Sequence, residues 1–228
     1  MAALLEPPDY EERVCIVGSN GSGKSFFAKA LLERYRRWVV VDHKGGFLPN
    51  GDRGSYVIVR DPHDERLKTE DRVVYRPRNE WKTAEMYEFV FESLIYRAER
   101  YGRRGRPFVV VVDEGLAISR LGARKQLGNL AAVGREHGVG LWVLSQRAKW
   151  IPIEVKSEAW RWYVFYLGDS EDEDEVLRFA KGQLTLEQLR AHDHSKQFTE
   201  LRRAENSGGV VKVTLWPALP PSRAVRSK

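Results

Sequence analysis

The sequence is poor in cysteine and lacks any long uncharged apolar run. Its 228 residues include one cysteine, Cys15, which excludes an internal disulfide and any multi-cysteine metal site. No stretch approaches the roughly 18 uncharged apolar residues that a membrane-spanning helix needs. The first twelve residues carry four acidic side chains, whereas a secretory signal begins with basic ones. These absences predict a soluble protein of the cytoplasm.

The hydrophobic fraction and the net charge of the chain suit one folded domain with a basic surface. A hydrophobic fraction of 42% is enough for one well-buried core in a chain of this length. We expect a single domain over residues 13–216, preceded by a flexible acidic arm (residues 1–12) and followed by a flexible, proline-rich basic tail (residues 217–228). The net charge of +6 favours a polyanionic partner such as nucleic acid.

Short apolar runs alternate with segments of helical spacing along most of the chain. This alternation predicts an α/β fold in which a mostly parallel central sheet has helices on both faces. Two late strands, near residues 197–202 and 210–215, predict a C-terminal β-hairpin around residues 206–209. The other strands are predicted at residues 14–17, 38–42, 56–59, 73–75, 108–112, 141–145 and 160–167, and the clearest helices at residues 81–101 and 124–137.

An acidic run at residues 171–175 is predicted to begin a helix and not to bind a metal ion. Ser170 and Glu173 have the spacing of a capping box, and acidic side chains in a first turn complement the helix dipole. Thr185 and Gln188 repeat the same spacing. Two helix starts are therefore expected in this part of the chain.

Residues 18–25 read G-S-N-G-S-G-K-S and match the P-loop pattern G-x-x-x-x-G-K-[ST] at every fixed position. They lie between a predicted strand and a predicted helix, as the pattern requires. Glycines allow successive backbone N–H groups to surround phosphates, and the helix N-terminus adds positive potential. Lys24 is predicted to reach the outer phosphates of ATP, and the Ser25 hydroxyl to bind Mg²⁺. The predicted phosphate-binding residues are Gly18, Ser19, Asn20, Gly21, Ser22, Gly23, Lys24 and Ser25.

Two acidic residues end the valine-rich strand at residues 108–112. We expect this strand to lie next to the P-loop strand, which would place Asp113 where the magnesium shell needs a carboxylate. Glu114 is then predicted to face the γ-phosphate and to orient and deprotonate the attacking water. Gln146 ends the next apolar strand. It is predicted to lie beside Glu114 and to sense the γ-phosphate.

With these elements in place, the chain resembles the FtsK–HerA superfamily of DNA-pumping ATPases. In particular, it is similar to the small genome-packaging ATPases of icosahedral viruses with an internal membrane. The resemblance implies a RecA-like P-loop fold and covers roughly residues 13–170. The segments that carry it are residues 18–25, 42–46, 108–114, 134–141 and 145–147.

The resemblance also implies an activity and an assembly. It implies an ATP-driven translocase of double-stranded DNA, with a viral genome-packaging motor as the leading interpretation. The motor would be a homo-oligomeric ring, a hexamer, in the host cytoplasm, in contact with a capsid vertex or internal-membrane proteins. Other FtsK–HerA-type pumps remain an alternative. So do a P-loop nucleotide kinase, which would not need Glu114 beside Asp113, and a module that binds ATP without cleaving it.

In this superfamily an arginine from the neighbouring subunit completes each site, and Arg135 is our first candidate. It follows Arg124 by eleven residues, about three helical turns, so the two are expected on one helix face. Gly128 and Ala131 would leave room there for an approaching subunit. The alternatives are that Arg135 only binds carbonyl groups at a helix end, or that Arg161 has the role.

Basic residues after the catalytic strand and after the sensor strand are the candidates for DNA contacts. Positive charge without base-reading geometry suits a motor that must pass any sequence, because phosphate contacts position DNA without specifying it. Trp150 is either a further contact or part of the core. The basic candidates are Arg120, Arg124, Lys125 and Lys149.

Overall fold

A nine-stranded sheet organises the part of the chain that the computed structural model describes, which comprises residues 5–47, 55–102, 105–191, 196–204 and 211–218. The strands are β1 (Arg13–Val17), β2 (Trp38–Asp42), β3 (Val57–Val59), β4 (Arg72–Tyr75), β5 (Phe108–Asp113), β6 (Val139–Ser145), β7 (Arg161–Val164), β8 (Phe198–Arg203) and β9 (Val211–Trp216).

The spatial order of the strands is β3-β4-β2-β5-β6-β1-β7-β8-β9. The first seven strands in this order are parallel, and β8 and β9 are antiparallel to their neighbours. This topology confirms the predicted mostly parallel sheet with an antiparallel C-terminal pair. The predicted hairpin turn at residues 206–209 lies outside the described residues.

Helices cover both faces of the sheet, as predicted. Because successive strand residues point to opposite faces, Cys15 and Val17 belong to the hydrophobic core on one face, whereas Val14 and Ile16 belong to the core on the other. None of the described helices is both long and apolar enough to cross a lipid bilayer. The helices are α1 (Lys24–Leu32), α2 (Arg66–Thr69), α3 (Ala84–Tyr101), α4 (Gly115–Ile118), α5 (Arg124–Val133), α6 (Ile153–Glu158), α7 (Ser170–Ala180) and α8 (Leu186–Arg190).

The central strands are buried because their residues are β-branched and apolar. All five residues before Asp113 in β5 are fully buried, which suits a parallel strand covered on both faces. Cys15 in β1 is fully buried too, and this burial raises the pKa of its thiol. This position makes the cysteine an inert part of the core.

The helix predicted over residues 124–137 is shorter in the structure. Helix α5 ends at Val133, and residues Gly134–His137 form a 3₁₀ turn before β6. Gly138, with a φ of 68°, then redirects the chain into the strand. Glycines on both sides of this turn favour its tighter winding over a continued α-helix.

The acidic run begins a helix, but the cap lies one residue earlier than predicted. Asp169 caps α7 by accepting a hydrogen bond from the backbone N–H of Glu171 at 3.0 Å. Glu173 pairs with Arg190 at 2.7 Å and does not close a capping box with Ser170. The predicted capping box of Thr185 and Gln188 at the start of α8 is confirmed. Among the described residues, no group of three or more acidic, histidine or cysteine side chains forms a metal site.

Residues 5–12, which the sequence predicted to form a flexible arm, are instead held against the domain. Leu5 is buried, and the Tyr35 hydroxyl donates a hydrogen bond to the carbonyl of Pro8. The backbone N–H of Leu141 in β6 donates to the carbonyl of Glu12 at 3.2 Å. Gly140 permits this close approach, because a Cβ there would lie 2.6 Å from the carbonyl oxygen of Tyr10.

Candidate functional site

The loop between β1 and α1 has the backbone geometry of a phosphate-binding loop. Gly18 and Gly23 have φ angles of 153° and 107°, which side chains other than glycine rarely adopt. A Cβ at Gly18 would also lie 2.6 Å from the Cβ of Phe165. The nine-residue α1 begins directly after the loop, so its unpaired backbone N–H groups face the same space.

Lys24 rests on the loop that would hold the phosphates. Its ammonium donates hydrogen bonds to the carbonyl oxygens of Gly18 at 2.5 Å and Ser19 at 2.8 Å. Burial lowers the pKa of Lys24 to about 8, and the nearby carboxylates of Glu114 and Asp113 oppose this shift. A partly desolvated ammonium beside a helix N-terminus is well placed to contact phosphate oxygens.

Two aspartates end neighbouring strands and have different surroundings. Asp42 in β2 lies opposite Asp113 in β5. The fully buried Asp42 pairs with Arg76 at 2.8 Å and accepts backbone hydrogen bonds from Gly45 and Phe47. Asp113 has no salt-bridge partner among the described residues.

Asp113 is therefore the carboxylate that still lacks a positive partner. Burial raises the pKa of Asp113 to about 6, and the negative charges of Asp42 and Glu114 act in the same direction. Asp113 and the Ser25 hydroxyl line the same cleft. Their hard oxygen donors, with an uncompensated negative charge, fit a magnesium ion.

Glu114 is held in place by its backbone and by two neighbours. Its φ of 62° lies in the left-handed region, which is uncommon for a residue other than glycine and is often found at functional sites. Its Oε1 accepts a hydrogen bond from Nε2 of Gln146 at 2.8 Å and lies 2.8 Å from Nζ of Lys44. The prediction that Gln146 lies beside Glu114 is confirmed.

The order of the strands corrects one premise of the sequence analysis. We expected β5 to lie next to the P-loop strand, but β6 separates β5 from β1. Chain order does not determine sheet order, because each crossover can pass over a neighbouring strand. As a result, β6 places Gln146 between the P-loop and the acidic pair.

The cleft between these elements has a volume of about 280 Å³. Asn20, Gly21, Gly23, Lys24, Ser25, Asp113, Glu114 and Gln146 line it together, so the structure brings together most residues that the sequence assigned to the site. Sequence reasoning gave no role to Lys44 and did not notice Lys196, which also lines the cleft. Lys44 could have been inferred, because it lies two residues after the end of β2. No sequence signal indicated Lys196.

Arg135 lies far from the cleft of its own subunit. It belongs to the turn before β6, whereas Gln146 follows the end of the same strand, whose seven residues span roughly 23 Å. Its side chain is exposed, and the guanidinium carbon lies 5.4 Å from the ring centre of Trp160.

The prediction that Gly128 and Ala131 leave an open face is wrong. Ala131 is fully buried, and a Cβ at Gly128 would lie 3.1 Å from the Cβ of Glu154 in α6. Helix α6 therefore occupies the space that these small residues were expected to leave open. Arg161 is also unsuitable as an arginine for a neighbouring subunit, because it is fully buried and pairs with Glu12 at 2.8 Å.

The candidate DNA-contacting side chains differ in whether a carboxylate already pairs with them. Arg124 pairs with Glu154 at 3.1 Å, and Lys149 pairs with Glu171. The guanidinium of Arg120 lies 5.0 Å from the ring centre of Trp150, which is half-buried. Lys125 is exposed and has no salt-bridge partner within the described part of the chain.

The chain has recognisable relatives in sequence and in structure. No protein-family model matches it. DNA packaging ATPase P9 of Enterobacteria phage PRD1 is 27% identical over 179 residues, which cover 77% of this chain and 73% of P9. The genome packaging NTPase B204 from Sulfolobus turreted icosahedral virus 2, solved with ATP-γ-S, has a TM-score of 0.68 at 16% identity and covers 93% of this chain and 100% of that one.

A second kind of structural neighbour is a secretion ATPase. The cytoplasmic domain of the Type VII secretion ATPase EccC from Thermomonospora curvata has a TM-score of 0.61 at 16% identity and covers 91% of this chain but only 25% of EccC. These comparisons confirm the resemblance that the motifs predicted. The chain is similar in sequence to a viral DNA packaging ATPase and has the fold of the genome-packaging NTPases.

Proposed function

We propose that this chain hydrolyses ATP to drive double-stranded DNA into a viral particle. The observation that carries the proposal is the meeting of Lys24, Asp113, Glu114 and Gln146 at one cleft, at the carboxyl edge of the parallel strands. Phosphate-binding and water-activating groups are thus on opposite sides of the space that a γ-phosphate would occupy. The similarity to P9 of phage PRD1 supports DNA packaging as the process that uses this ATPase.

Substrate binding uses groups that are already in position. The amides of the loop and of the first turn of α1 surround the phosphates, and Lys24 moves from the carbonyls of Gly18 and Ser19 to phosphate oxygens. Ser25 and Asp113 would hold Mg²⁺, which would supply positive charge to the phosphates.

Hydrolysis depends on Glu114. Gln146 and Lys44 both contact its Oε1, which leaves Oε2 to accept a proton from the attacking water. The left-handed backbone of Glu114 fixes the direction from which the carboxylate enters the cleft. Because Gln146 touches the base and ends β6, a change at the γ-phosphate can be passed to that strand.

The proposed working form is a ring of six subunits around DNA, in the host cytoplasm. Arg135 supplies positive charge to the neighbouring subunit's site, since its exposed position at the opposite edge of the sheet keeps it from its own. Arg120 and Lys125 are the preferred contacts to DNA phosphates, because neither is paired with a carboxylate among the described residues. A capsid vertex or an internal-membrane protein would receive the ring.

The test is phosphate release by the purified full chain with Mg²⁺, with and without duplex DNA. We expect DNA to stimulate release and Lys24→Ala to abolish it. Glu114→Gln should still bind ATP but release phosphate at least about a hundredfold more slowly, because the base is lost. Glu99→Gln, at an exposed site in α3, is the matched control and should behave as the unmodified protein.

The same assay separates the alternatives. A nucleotide kinase would release almost no phosphate without an acceptor. A module that binds ATP without cleaving it would show no effect of Glu114→Gln. Hydrolysis that is insensitive to DNA would contradict the translocase, and failure of the protein to bind ATP would contradict the whole proposal.

A further inference from the structure

Lys196 lines the cleft but has no role in the mechanism above. It lies two residues before the start of β8, and the order β5-β6-β1-β7-β8 places it on the other side of the P-loop from Glu114 and Gln146. The cleft therefore has two walls. One wall carries the acidic pair and the sensor, and the other carries a lysine.

The position of Lys196 is set by close packing against the P-loop. A Cβ at Gly23 would lie 3.2 Å from Cγ and 3.3 Å from Cβ of Lys196, so the missing side chain of Gly23 makes room for the lysine stem. The ammonium lies 5.5 Å from the ring centre of Phe26 in the first turn of α1. These contacts hold the ammonium near the N-terminal end of α1.

The backbone of Lys196 is also unusual. Its φ of 66° lies in the left-handed region, where a lysine is disfavoured. Such conformations cost free energy and persist where surrounding contacts impose them, often at ligand-binding sites. No salt bridge to Lys196 is found among the described residues, and the carboxylates of the cleft, Asp113 and Glu114, belong to the opposite wall. Within the described part of the chain, the lysine is thus a cation that faces the cleft without an acidic partner.

We propose that Lys196 is a second phosphate-binding lysine, which contacts the nucleotide at the phosphate nearest the ribose. This inference rests on the proposed function. With the γ-phosphate at Glu114 and Gln146, the nucleoside end must extend towards β7 and β8, where Lys196 lies. The phosphate nearest the ribose is present in both ATP and ADP. The opposite wall instead contacts the γ-phosphate, which only ATP has.

The experiment measures the dissociation constants of fluorescent ATP and ADP analogues for the full chain. Lys196→Ala should weaken both by a similar factor, roughly five- to tenfold for one exposed charge-assisted hydrogen bond. Lys196→Arg should keep most of the affinity. Lys196→Asn should lose as much as the alanine variant, although asparagine tolerates the left-handed backbone, because the loss comes from the charge.

The matched control is Lys181→Ala. Lys181 is an exposed lysine with a φ of 50° at the end of α7, and it should have no effect on binding. Unchanged affinity in Lys196→Ala, or a loss for the ATP analogue alone, would overturn the assignment. Failure of the proposed function would look different, because the unmodified protein would then show no DNA-stimulated phosphate release, whatever the effect of Lys196→Ala on binding of the analogues.

Discussion

Asp42 and Asp113 show how the surroundings of one residue type decide its use. They lie opposite each other on neighbouring strands, yet Arg76 and two backbone amides satisfy only Asp42. Asp42 therefore orders the loop that carries Lys44, while Asp113 remains available to a cation. The free protein keeps a partly buried charge at Asp113, which Lys44 and Lys24 offset only in part, and this arrangement exchanges stability for affinity.

At the residue scale, we predict that Asp113→Asn stabilises the nucleotide-free protein at pH 8. The pKa of Asp113 is about 6 in the folded state and about 3.9 in an unfolded chain, so the folded state binds more protons between these values. The cost of the charge is thus present above pH 6 and disappears as the pH falls below 4. Urea unfolding should show a gain of about 1–3 kcal/mol at pH 8 that shrinks at pH 4.5.

Asp174→Asn, at an exposed position in α7, is the control and should change the free energy of unfolding by less than about 0.5 kcal/mol. A gain from Asp113→Asn that is equal at both pH values would show that the charge is not its source. The added stability should be accompanied by weaker binding of Mg²⁺ and ATP.

The positions of the site residues could be predicted where a motif follows an apolar strand. Lys24, Asp113, Glu114 and Gln146 each lie at such a position, so their convergence follows from parallel strands that end at one edge. Lys196 could not be predicted, since only the antiparallel return of β8 brings it to the P-loop. Tertiary packing carries that information.

At the element scale, the N-terminal segment helps to hold the sheet together. Residues 5–12 cross the start of β6 and connect to β7 through Arg161, which pairs with Glu12 and donates to the carbonyl of Glu6 at 2.8 Å. Arg161 also reaches Glu200 in β8 at 3.1 Å. This network ties the segment to the side of the sheet that carries Lys196.

We predict that Gly140→Ala destabilises the protein by about 1–3 kcal/mol, because the added methyl group would collide with the backbone of Tyr10. Gly46→Ala is the matched control. A Cβ at Gly46 would meet no atom within 4 Å, so its effect should be small. Both are measured by urea unfolding, and equal effects of the two variants would argue that the N-terminal segment is not packed here.

Element boundaries were predictable to different degrees. The valine-rich strands could be predicted closely, because parallel strands covered on both faces are continuously apolar. The end of α5 was predicted at residue 137 and lies at Val133, and the cap of α7 was predicted at Ser170 and is Asp169. In both cases several neighbouring residues could end or cap the helix, and tertiary contacts such as the pair of Glu173 and Arg190 select among them.

At the scale of the whole molecule, the carboxyl and amino ends of the parallel strands carry different functional groups. The cleft lies at the carboxyl edge, and Arg135 lies at the amino edge. Arg135 could therefore serve only the site of another subunit, and in the proposed ring a repeated head-to-tail contact would present it at every interface.

We predict partial rescue when Arg135→Ala protein is mixed with Glu114→Gln protein. Each variant alone should be inactive in DNA-stimulated phosphate release. In a random equal mixture, about a quarter of the sites combine an intact Glu114 with an intact Arg135 from the neighbour, so up to about a quarter of the activity should return.

The matched control is a mixture of Lys24→Ala and Glu114→Gln proteins. These residues line the same cleft of one subunit, so no mixed site contains both and no rescue is expected. Rings that form without rescue in the first mixture would remove Arg135 from its proposed role.

The fold class could be predicted from the chain alone, but the face that meets a neighbour could not, because α6 covers the surface that the sequence left open.

The complete burial of the chain's one cysteine in β1 makes the protein a convenient reporter of its own assembly. A cysteine introduced at an outer position such as Glu99 would be the one accessible thiol among the described residues of each folded subunit, so a dye or spin label would attach there without prior removal of Cys15. Distances between labelled subunits would then follow the movements of the ring through a catalytic cycle. Labelling of Cys15 itself would report that the central strand had opened.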